Sequence, residues 1–200
     1  MLRYPLDKVD HNLFRIRTFD AEQESVWNAL KLPVPPFRPD VDEIREAQAT
    51  KTAEHQRQIE EEQRVSHMLS RFDPNSSDID ALTAANEYLT PFAYRTKMLY
   101  ARARPDQLGI TPTIETPLHP SYPSGHAMQA YAFRDVMSCR HPEHKQQYAH
   151  AAEEIAQNRV RAGVHYPSDS VVSAELMRQL RCPMMRRLAR KKLVPELCAC

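Results

Sequence analysis

The apolar residues of this chain recur at the spacing of α-helices, and strands are hard to find in it. One helix face is indicated by apolar residues three or four apart at positions 65, 68, 69 and 72. The same kind of pattern predicts helices over residues 77–89, 124–139, 143–164 and 168–180. A capping box of Ser77 and Asp80 begins the first of these, and Thr90 with Pro91 predicts the start of another helix. We therefore expect an all-α fold.

Proline and glycine mark the irregular segments. The chain contains 16 prolines and only three glycines, which suits helices that are separated by proline-rich connections. Prolines predict an extended segment over residues 34–39, and five prolines fall in the 19 residues from Pro105 to Pro123. Because long irregular loops in a compact domain are often functional, this second segment is a candidate part of a binding site.

Length and polarity suggest one domain with two appendages. Two hundred residues suit a single domain of ordinary size. We expect a helical core over residues 74–182, an N-terminal helical arm over residues 1–73 that packs on the core or extends from it, and a basic C-terminal tail over residues 183–200. Residues 40–63 hold eight acidic and three basic side chains, which predicts a helix that faces solvent or a partner. Because that helix could pair with the basic tail of a second subunit, a homodimer is one hypothesis.

The charge balance bears on the class of partner. The chain has 27 Lys and Arg residues against 26 Asp and Glu residues, so we expect no binding to nucleic acid. The longest stretch without these four residue types runs from Thr116 to Phe133 and holds three prolines and two histidines. We therefore expect no transmembrane span and a soluble protein.

The first residues and the cysteines bear on the compartment. The N-terminus lacks the apolar stretch of a signal peptide. Cysteines occur only at positions 139, 182, 198 and 200. They have no metal-ligand spacing and are too few for a disulfide scaffold, which favours a reducing compartment. We therefore expect a cytoplasmic rather than an exported protein.

Two segments combine residue types that bind oxyanions. Lys97 and Arg104 are seven residues apart, or two helical turns, so both point from nearly the same face and can clamp a tetrahedral oxyanion. The second segment, Pro-Ser-Gly-His, ends the proline-rich loop and opens a helix, where free backbone amides favour an anion. In it Gly125 permits close approach of the backbone to a ligand, and Ser124 adds a hydroxyl donor. His126 is a candidate proton donor to a leaving group.

A third segment places a carboxylate near an imidazole. Arg159 lies on the apolar stripe of a helix, whose other members are Tyr148, Ala152, Ile155 and Ala162. Ser168 caps the following helix, so Asp169 falls in its first turn and can bond one ring nitrogen of His165. That bond fixes the tautomer and leaves the other nitrogen free as a nucleophile. Each segment alone also suits a structural role, such as solvent-facing charges or a salt-bridged helix junction. A structural explanation of all three requires three independent coincidences in the same order along the chain, which makes it weaker.

The three segments together resemble a known superfamily. It joins type 2 phosphatidic acid phosphatases, bacterial class A acid phosphatases and vanadium-dependent haloperoxidases. The residues that match its motifs are Lys97, Arg104, Pro105, Pro123, Ser124, Gly125, His126, Arg159, His165 and Asp169. The family usually has serine before the third-motif arginine, where this chain has Asn158. The resemblance implies a single-domain helical bundle of the acid phosphatase and vanadium haloperoxidase type.

The resemblance also implies a reaction and a role for each motif residue. The reaction is the metal-independent hydrolysis of phosphate monoesters, with diphosphates as a wider substrate class and no cofactor required. His165 attacks phosphorus to form a covalent phosphohistidine, Asp169 orients it, and His126 protonates the leaving oxygen. The phosphate oxygens are held by Lys97, Arg104, Ser124, Gly125 and Arg159. We expect the substrate to be a phosphorylated, water-soluble small molecule.

A vanadium-dependent haloperoxidase is the alternative that the same resemblance implies. In that branch the third-motif histidine, here His165, binds vanadate. The bromoperoxidases have an additional histidine seven residues before the second-motif histidine, which here is His119. Those chains are much longer, whereas small phosphatases of the family are close to 200 residues. The phosphatase is therefore favoured, and we expect vanadate to inhibit it.

Overall fold

The computed structural model describes residues 2–9 and 18–198 of the chain. In these residues the structure has eight α-helices, a few short 3₁₀ helices and no strand. The α-helices, numbered α1 to α8 in chain order, are Ala21–Ala29, Val41–Ala49, Ala53–Glu61, Val65–Leu69, Ser76–Tyr100, Gly125–Arg140, Lys145–Arg161 and Pro167–Arg190. The predicted all-α class is confirmed. Within the described parts, no helix combines the length and the apolar character needed to cross a membrane.

Helix α6 forms the centre of the hydrophobic core. It packs against α5, α7 and α8. Its Ala130, Ala132 and Phe133 are completely buried, and small side chains on one helix let the neighbouring helices approach closely. Full burial of a side chain such as Phe133 contributes roughly 1.5–3 kcal/mol. Because α6 begins in the Pro-Ser-Gly-His segment, the core also fixes the position of that segment.

The longest helix, α5, differs from the sequence prediction in two ways. The capping box at its start consists of Asn75 and Asp78 rather than Ser77 and Asp80, since the Asn75 side chain already accepts hydrogen bonds from the first turn. The helix also continues through Pro91, where the sequence predicted a new start. Proline removes a backbone hydrogen bond from a helix interior. Burial of Pro91 in the core nevertheless favours one continuous helix, which carries the motif lysine in its last turn.

The acidic segment of residues 40–63 packs on the core, although the sequence predicted a helix facing solvent or a partner. It forms two helices, α2 and α3, and both contact α7. Each helix buries one isoleucine completely, Ile44 in α2 and Ile59 in α3. Such isolated apolar residues anchor a helix without giving it a visible apolar face in the sequence. Between the helices Thr52 caps α3 by accepting a hydrogen bond from the amide of His55.

The basic residues near the end of α8 pair with acidic residues of the same chain. The guanidinium of Arg187 donates to Asp20, the N-cap of α1. The guanidinium of Arg190 donates to both carboxylate oxygens of Glu22, at 2.7 and 2.6 Å. The tail thus has intramolecular partners, and the homodimer stays a prediction.

The cysteines differ from the sequence expectation. Cys139, near the end of α6, and Cys198 form a disulfide that joins residues 59 positions apart. Cys182 is also disulfide-bonded, and Cys200 lies outside the described residues. Disulfides persist in oxidising compartments and are rare in the cytosol. The pairing therefore disagrees with the reducing compartment that was predicted from the small number of cysteines.

We expect the double substitution Cys139→Ser and Cys198→Ser to lower the free energy of unfolding by about 2–4 kcal/mol, because a disulfide restricts the unfolded chain. Urea titration of the wild type and the variant, both without reductant, isolates this bridge from the bond at Cys182. Equal free energies of unfolding for the two proteins would contradict the pairing.

Candidate active site

A cavity of about 190 Å³ brings the three predicted segments together. Six of the nine site residues predicted from the sequence line it, namely Lys97, Arg104, His119, Gly125, His126 and His165. The other three, Ser124, Arg159 and Asp169, are buried beside it. The rest of the lining is mostly apolar, with Val65, Leu89, Ala93, Tyr94, Pro117 and Met128, and it includes the polar Thr90 and Gln129. The cavity therefore combines cations and histidines with apolar side chains.

The start of α6 presents an open backbone to this cavity. Ser124 is the N-cap, and its Oγ accepts a hydrogen bond from the amide of Ala127 at 3.3 Å. The hydroxyl that was predicted to bind phosphate thus also caps a helix. Gly125 is the first residue of α6, and a Cβ built on it would meet no described atom within 4 Å. The space beside Gly125 lies at the positive end of the helix dipole, which favours an anion.

The turn between α7 and α8 holds His165 against Asp169. Gly163 supplies a left-handed φ of +74° at the end of α7. Oδ2 of Asp169 lies 3.0 Å from Nδ1 of His165 and also accepts a hydrogen bond from the amide of Tyr166 at 3.1 Å. Burial and the neighbouring cations lower the pKa of His165 well below its usual value, so the imidazole is neutral at pH 7. Nδ1 carries the ring proton and donates a hydrogen bond to Asp169, so the lone pair is on Nε2, which lies 3.4 Å from Nη1 of Arg104.

Two buried cations line the cavity and are held by backbone carbonyls. Nζ of Lys97 donates to three carbonyl oxygens of the proline-rich loop, those of Pro120, Ser121 and Pro123. The guanidinium of Arg104 donates to the carbonyl oxygens of His119 and Val164, each at 2.7 Å. Burial lowers the pKa of Arg104 to about 10 and lowers that of Lys97 well below its usual value. Both cations therefore organise the loop as well as the cavity.

Two further histidines line the cavity. Nε2 of His126 lies 3.4 Å from the carbonyl oxygen of Gln63, in the segment between α3 and α4. Nδ1 of His119 lies 3.0 Å from Nη2 of Arg104. Burial lowers the pKa of His126 to about 3 and also lowers the pKa of His119, so both rings are neutral at pH 7. No three His, Cys, Asp or Glu side chains of the described chain cluster as metal ligands.

Arg159, predicted as a phosphate ligand, makes its contacts with the N-terminal arm. Its Nη2 donates to Oε2 of Glu62 at 3.1 Å and to the carbonyl oxygen of Ile59 at 3.4 Å. Its Nε is buried and has no hydrogen-bond partner among the described residues. The positive charge of Arg159 is nevertheless close enough to lower the pKa values of His126 and His165.

Arg102 and Asp40 belong to the same hydrogen-bond network, although neither was predicted from the sequence. Nη1 of Arg102 donates to Oδ1 of Asp169 at 2.7 Å, and Nη2 donates to Oδ1 of Asp40 at 3.3 Å. Oδ2 of Asp40 accepts a hydrogen bond from the amide of Ser168 at the start of α8. Arg102 stands two residues before Arg104, so its position within the first motif could have indicated that it belongs to the site. Asp40 is 128 residues from Ser168, and no local pattern reveals that contact.

Comparison with known proteins identifies the class to which this fold and site belong. The family model of the PAP2 superfamily matches residues 81–180, a range that contains all nine predicted site residues. The chain therefore belongs to the PAP2 superfamily, which confirms the resemblance inferred from the motifs. No curated protein matches the chain significantly.

A solved structure supports the same fold. The chain is similar to the first transmembrane PAP2 type phosphatidylglycerolphosphate phosphatase from Bacillus subtilis, with 18% sequence identity and a TM-score of 0.59. The similarity covers 76% of this chain and 85% of that one. The predicted helical bundle of this superfamily is thus confirmed as the fold.

The substitution Gly125→Ala should separate ligand binding from stability. Because the added methyl group meets no described atom and alanine favours helix, we expect an unchanged or higher unfolding midpoint. The methyl group occupies space beside the free amides of α6, so we expect affinity for inorganic phosphate, measured by calorimetry, to fall about 10-fold. Gly163→Ala is the control for the stability measurement, because we expect it to lower the unfolding midpoint. Gly163 has a positive φ, and a Cβ added to it would lie 2.7 Å from Nε2 of Gln48. Unchanged phosphate affinity in Gly125→Ala would contradict the proposed anion position.

The substitution Arg102→Met should move the acid limb of the activity profile to higher pH. Burial raises the pKa of Asp169 above its usual value, and the charge of Arg102 opposes that rise. Without Arg102 the pKa of Asp169 rises further, so the ionised carboxylate that orients His165 is lost at a higher pH. The measurement is kcat against pH. Arg178→Met, on the exposed side of α8, serves as the control, and an acid limb in Arg102→Met that matches this control would argue against the role of Arg102.

Proposed function

We propose that this protein is a metal-independent phosphatase that hydrolyses phosphate monoesters through a covalent phosphohistidine intermediate. The observation that carries the proposal is the 3.0 Å contact between Nδ1 of His165 and Oδ2 of Asp169, which leaves the lone pair of a cavity-lining imidazole on Nε2, where it can act as the nucleophile. Nη1 of Arg104 lies 3.4 Å from this Nε2, so a phosphoryl group that meets the nucleophile also meets a cation. Membership of the PAP2 superfamily and the order of the three motifs support it.

Substrate binding begins with the phosphate oxygens. Lys97 and Arg104 line the cavity as cations, and the free amides near Gly125 add hydrogen-bond donors at the helix start. A phosphate dianion favours the charged forms of the groups around it and therefore raises the pKa values that burial lowers. In the complex Lys97 stays charged, and His126 takes up a proton.

The chemistry then proceeds in two steps at phosphorus. Nε2 of His165 attacks phosphorus, the bond between phosphorus and the leaving oxygen breaks, and protonated His126 gives its proton to that oxygen. Asp169 stabilises the positive charge that develops on the attacking imidazole. In the second step neutral His126 takes a proton from water, the water oxygen attacks phosphorus, and the bond to His165 breaks. Inorganic phosphate is released, and the enzyme returns to its starting state.

The scheme uses side-chain cations where other phosphoryl-transfer enzymes use metal ions. Charge in the transition state is spread over the three equatorial oxygens of the phosphoryl group, and fixed positive charges stabilise it. Lys97 and Arg104 supply these charges, and Arg159 and the Ser124 hydroxyl are further hydrogen-bond donors to the phosphate oxygens. Removal of one such donor costs on the order of 100-fold to 1000-fold in rate.

The walls of the cavity indicate the class of leaving group. The cavity is small, about 190 Å³, and its lining includes the apolar side chains of Leu89 and Met128 and the aromatic ring of Tyr94. We expect a phosphorylated small molecule with a compact, partly apolar alcohol, and the aromatic ester p-nitrophenyl phosphate is a suitable test substrate.

A vanadium-dependent haloperoxidase is the second candidate, and one observation favours it. His119, the additional histidine of the bromoperoxidase pattern, lines the same cavity, and its Nδ1 lies 3.0 Å from Nη2 of Arg104. Vanadate has the charge and shape of phosphate, so Lys97 and Arg104 suit it equally well. In that case His165 would bind vanadium instead of phosphorus.

A paired assay on one purified preparation decides between the two. One arm measures hydrolysis of p-nitrophenyl phosphate without added metal, and the other measures bromination of a dye with vanadate and peroxide. His165→Ala serves as the inactive control in both arms. We expect hydrolysis by the wild type, inhibition by vanadate, and a loss of at least about 1000-fold in the variant, because the nucleophile is removed.

The opposite result would overturn the choice. Bromination that depends on vanadate and on His165, with negligible hydrolysis, identifies the haloperoxidase and makes His119 the next residue to substitute. Hydrolysis that persists in His165→Ala rules out the phosphohistidine mechanism.

A further inference from the structure

A buried carboxylate from outside the family-matched region bonds the third-motif arginine. Glu62 follows the last turn of α3 and is completely buried, although its helix neighbours Glu60 and Glu61 are exposed. Oε2 of Glu62 accepts a hydrogen bond from Nη2 of Arg159 at 3.1 Å. Oε1 accepts one from Nη1 of Arg71 at 2.6 Å. Burial of a charged carboxylate costs free energy unless the charge is paired, so these two contacts fix the position of the Glu62 carboxylate.

The amide of Asn158 completes the set of donors to Glu62. Nδ2 of Asn158 lies 3.2 and 3.1 Å from the two carboxylate oxygens. Its Oδ1 accepts a hydrogen bond from Arg161, which fixes the orientation of the amide. Asn158 is the residue at which this chain departs from the usual serine of the family. The longer asparagine side chain spans the distance to Glu62, so the departure and the buried carboxylate form one arrangement.

The hydrogen bonds of Arg159 leave its buried Nε without a partner. Nη2 is bonded to Glu62 and to the carbonyl oxygen of Ile59. Nε, which is rigidly coplanar with Nη2, is buried and without a hydrogen-bond partner in the described part of the chain. Buried donors are nearly always bonded in native proteins. Arg159 is close enough to His126 and His165 to lower their pKa values, so its unbonded Nε is a candidate donor to a ligand atom at these histidines. With Nη2 fixed, the guanidinium plane and the direction of the Nε hydrogen are fixed as well.

We propose that Glu62 is a positioning residue that orients the guanidinium of Arg159, so that its Nε donates to the phosphoryl group in the transition state. This inference rests on the proposed function, because it concerns the same site. Asn158 assists by holding the carboxylate. Glu62 touches neither substrate nor reacting atoms and acts only through Arg159.

The segment around Glu62 reaches the cavity in two further places. The carbonyl oxygen of Gln63 lies 3.4 Å from Nε2 of His126, and Val65 lines the cavity wall. Displacement of Glu62 is therefore transmitted to one side of the site. Lys97 and Arg104 bond to other segments and keep their positions.

The test compares two oxyanions in Glu62→Gln. Inorganic phosphate resembles the ground state, and orthovanadate, which becomes five-coordinate on binding, resembles the transition state. We expect kcat for p-nitrophenyl phosphate to fall on the order of 10-fold to 100-fold, the scale of a misplaced catalytic group. We expect affinity for orthovanadate to fall by a similar factor, while affinity for phosphate changes less than about 3-fold, since Lys97 and Arg104 still bind it. Both affinities are measured by calorimetry on the full chain, so they do not depend on turnover.

Two companion variants keep the test interpretable. Glu61→Gln makes the same chemical change one residue away on the exposed surface, and we expect wild-type kcat and wild-type affinities. Glu62→Asp keeps the buried charge but shortens the side chain, so it is the variant to use if Glu62→Gln does not fold. We expect Glu62→Asp to lose vanadate affinity selectively, because the shorter carboxylate no longer reaches Nη2 of Arg159.

Each outcome has a distinct meaning. Selective loss of vanadate affinity and of kcat supports the positioning role. Three outcomes overturn the inference. Equal loss of both affinities indicates that Glu62 has only a structural role, and unchanged values indicate that it has no role. Tighter binding of either anion indicates that the carboxylate competes with the ligand. Failure of the wild type to hydrolyse p-nitrophenyl phosphate would overturn the proposed function instead, and the two affinities would still test Glu62.

Discussion

Burial of positive charge is the constraint on which the rest of this structure depends. Four cationic side chains are at most 2% exposed, those of Lys97, Arg102, Arg104 and Arg159. Removing a charge from water costs several kcal/mol even after the protein relaxes, so each cation must be bonded where it lies. The helices, the proline-rich loop and the N-terminal arm are arranged so that these bonds are made.

The cations are bonded in two different ways, according to their position. Lys97 and Arg104 line the cavity and donate to neutral carbonyl oxygens, and within the described chain no carboxylate lies within salt-bridge distance of either. The loop of residues 105–123 can supply such carbonyls because few of its residues engage them in helical hydrogen bonds. Arg102 and Arg159 are both bonded to carboxylates. The two cations without a carboxylate partner among the described residues are thus the two that line the cavity.

The sequence predicted six of the residues that line the cavity, but it predicted neither Asp40 nor Glu62, the distant carboxylates that bond the buried arginines. Each motif lies within a segment of at most 11 residues, so its spacing can be read against helix and turn geometry. Glu62 meets Arg159 across 97 positions, and only the packing of α3 on α7 brings them together. The break predicted at Pro91 was wrong for a related reason. Local propensity counts the lost hydrogen bond, whereas burial against the core, which decides the outcome, depends on residues far away in the chain.

The difference between cations with a carboxylate partner and cations without one (uncompensated cations) also matters for catalysis. Two uncompensated charges, on Lys97 and Arg104, suit the two negative charges of a phosphate monoester. A third uncompensated charge on Arg159 would strengthen binding of substrate and product phosphate as much as binding of the transition state, and uniform binding of this kind does not raise kcat. With Glu62 bonded to its Nη2, Arg159 adds no net positive charge to the site, and in the proposed mechanism it contributes only a directed donor at Nε. On this proposal the carboxylate of the N-terminal arm replaces a general attraction for anions by a contact whose strength depends on geometry, and geometry is what distinguishes a transition state from a ground state.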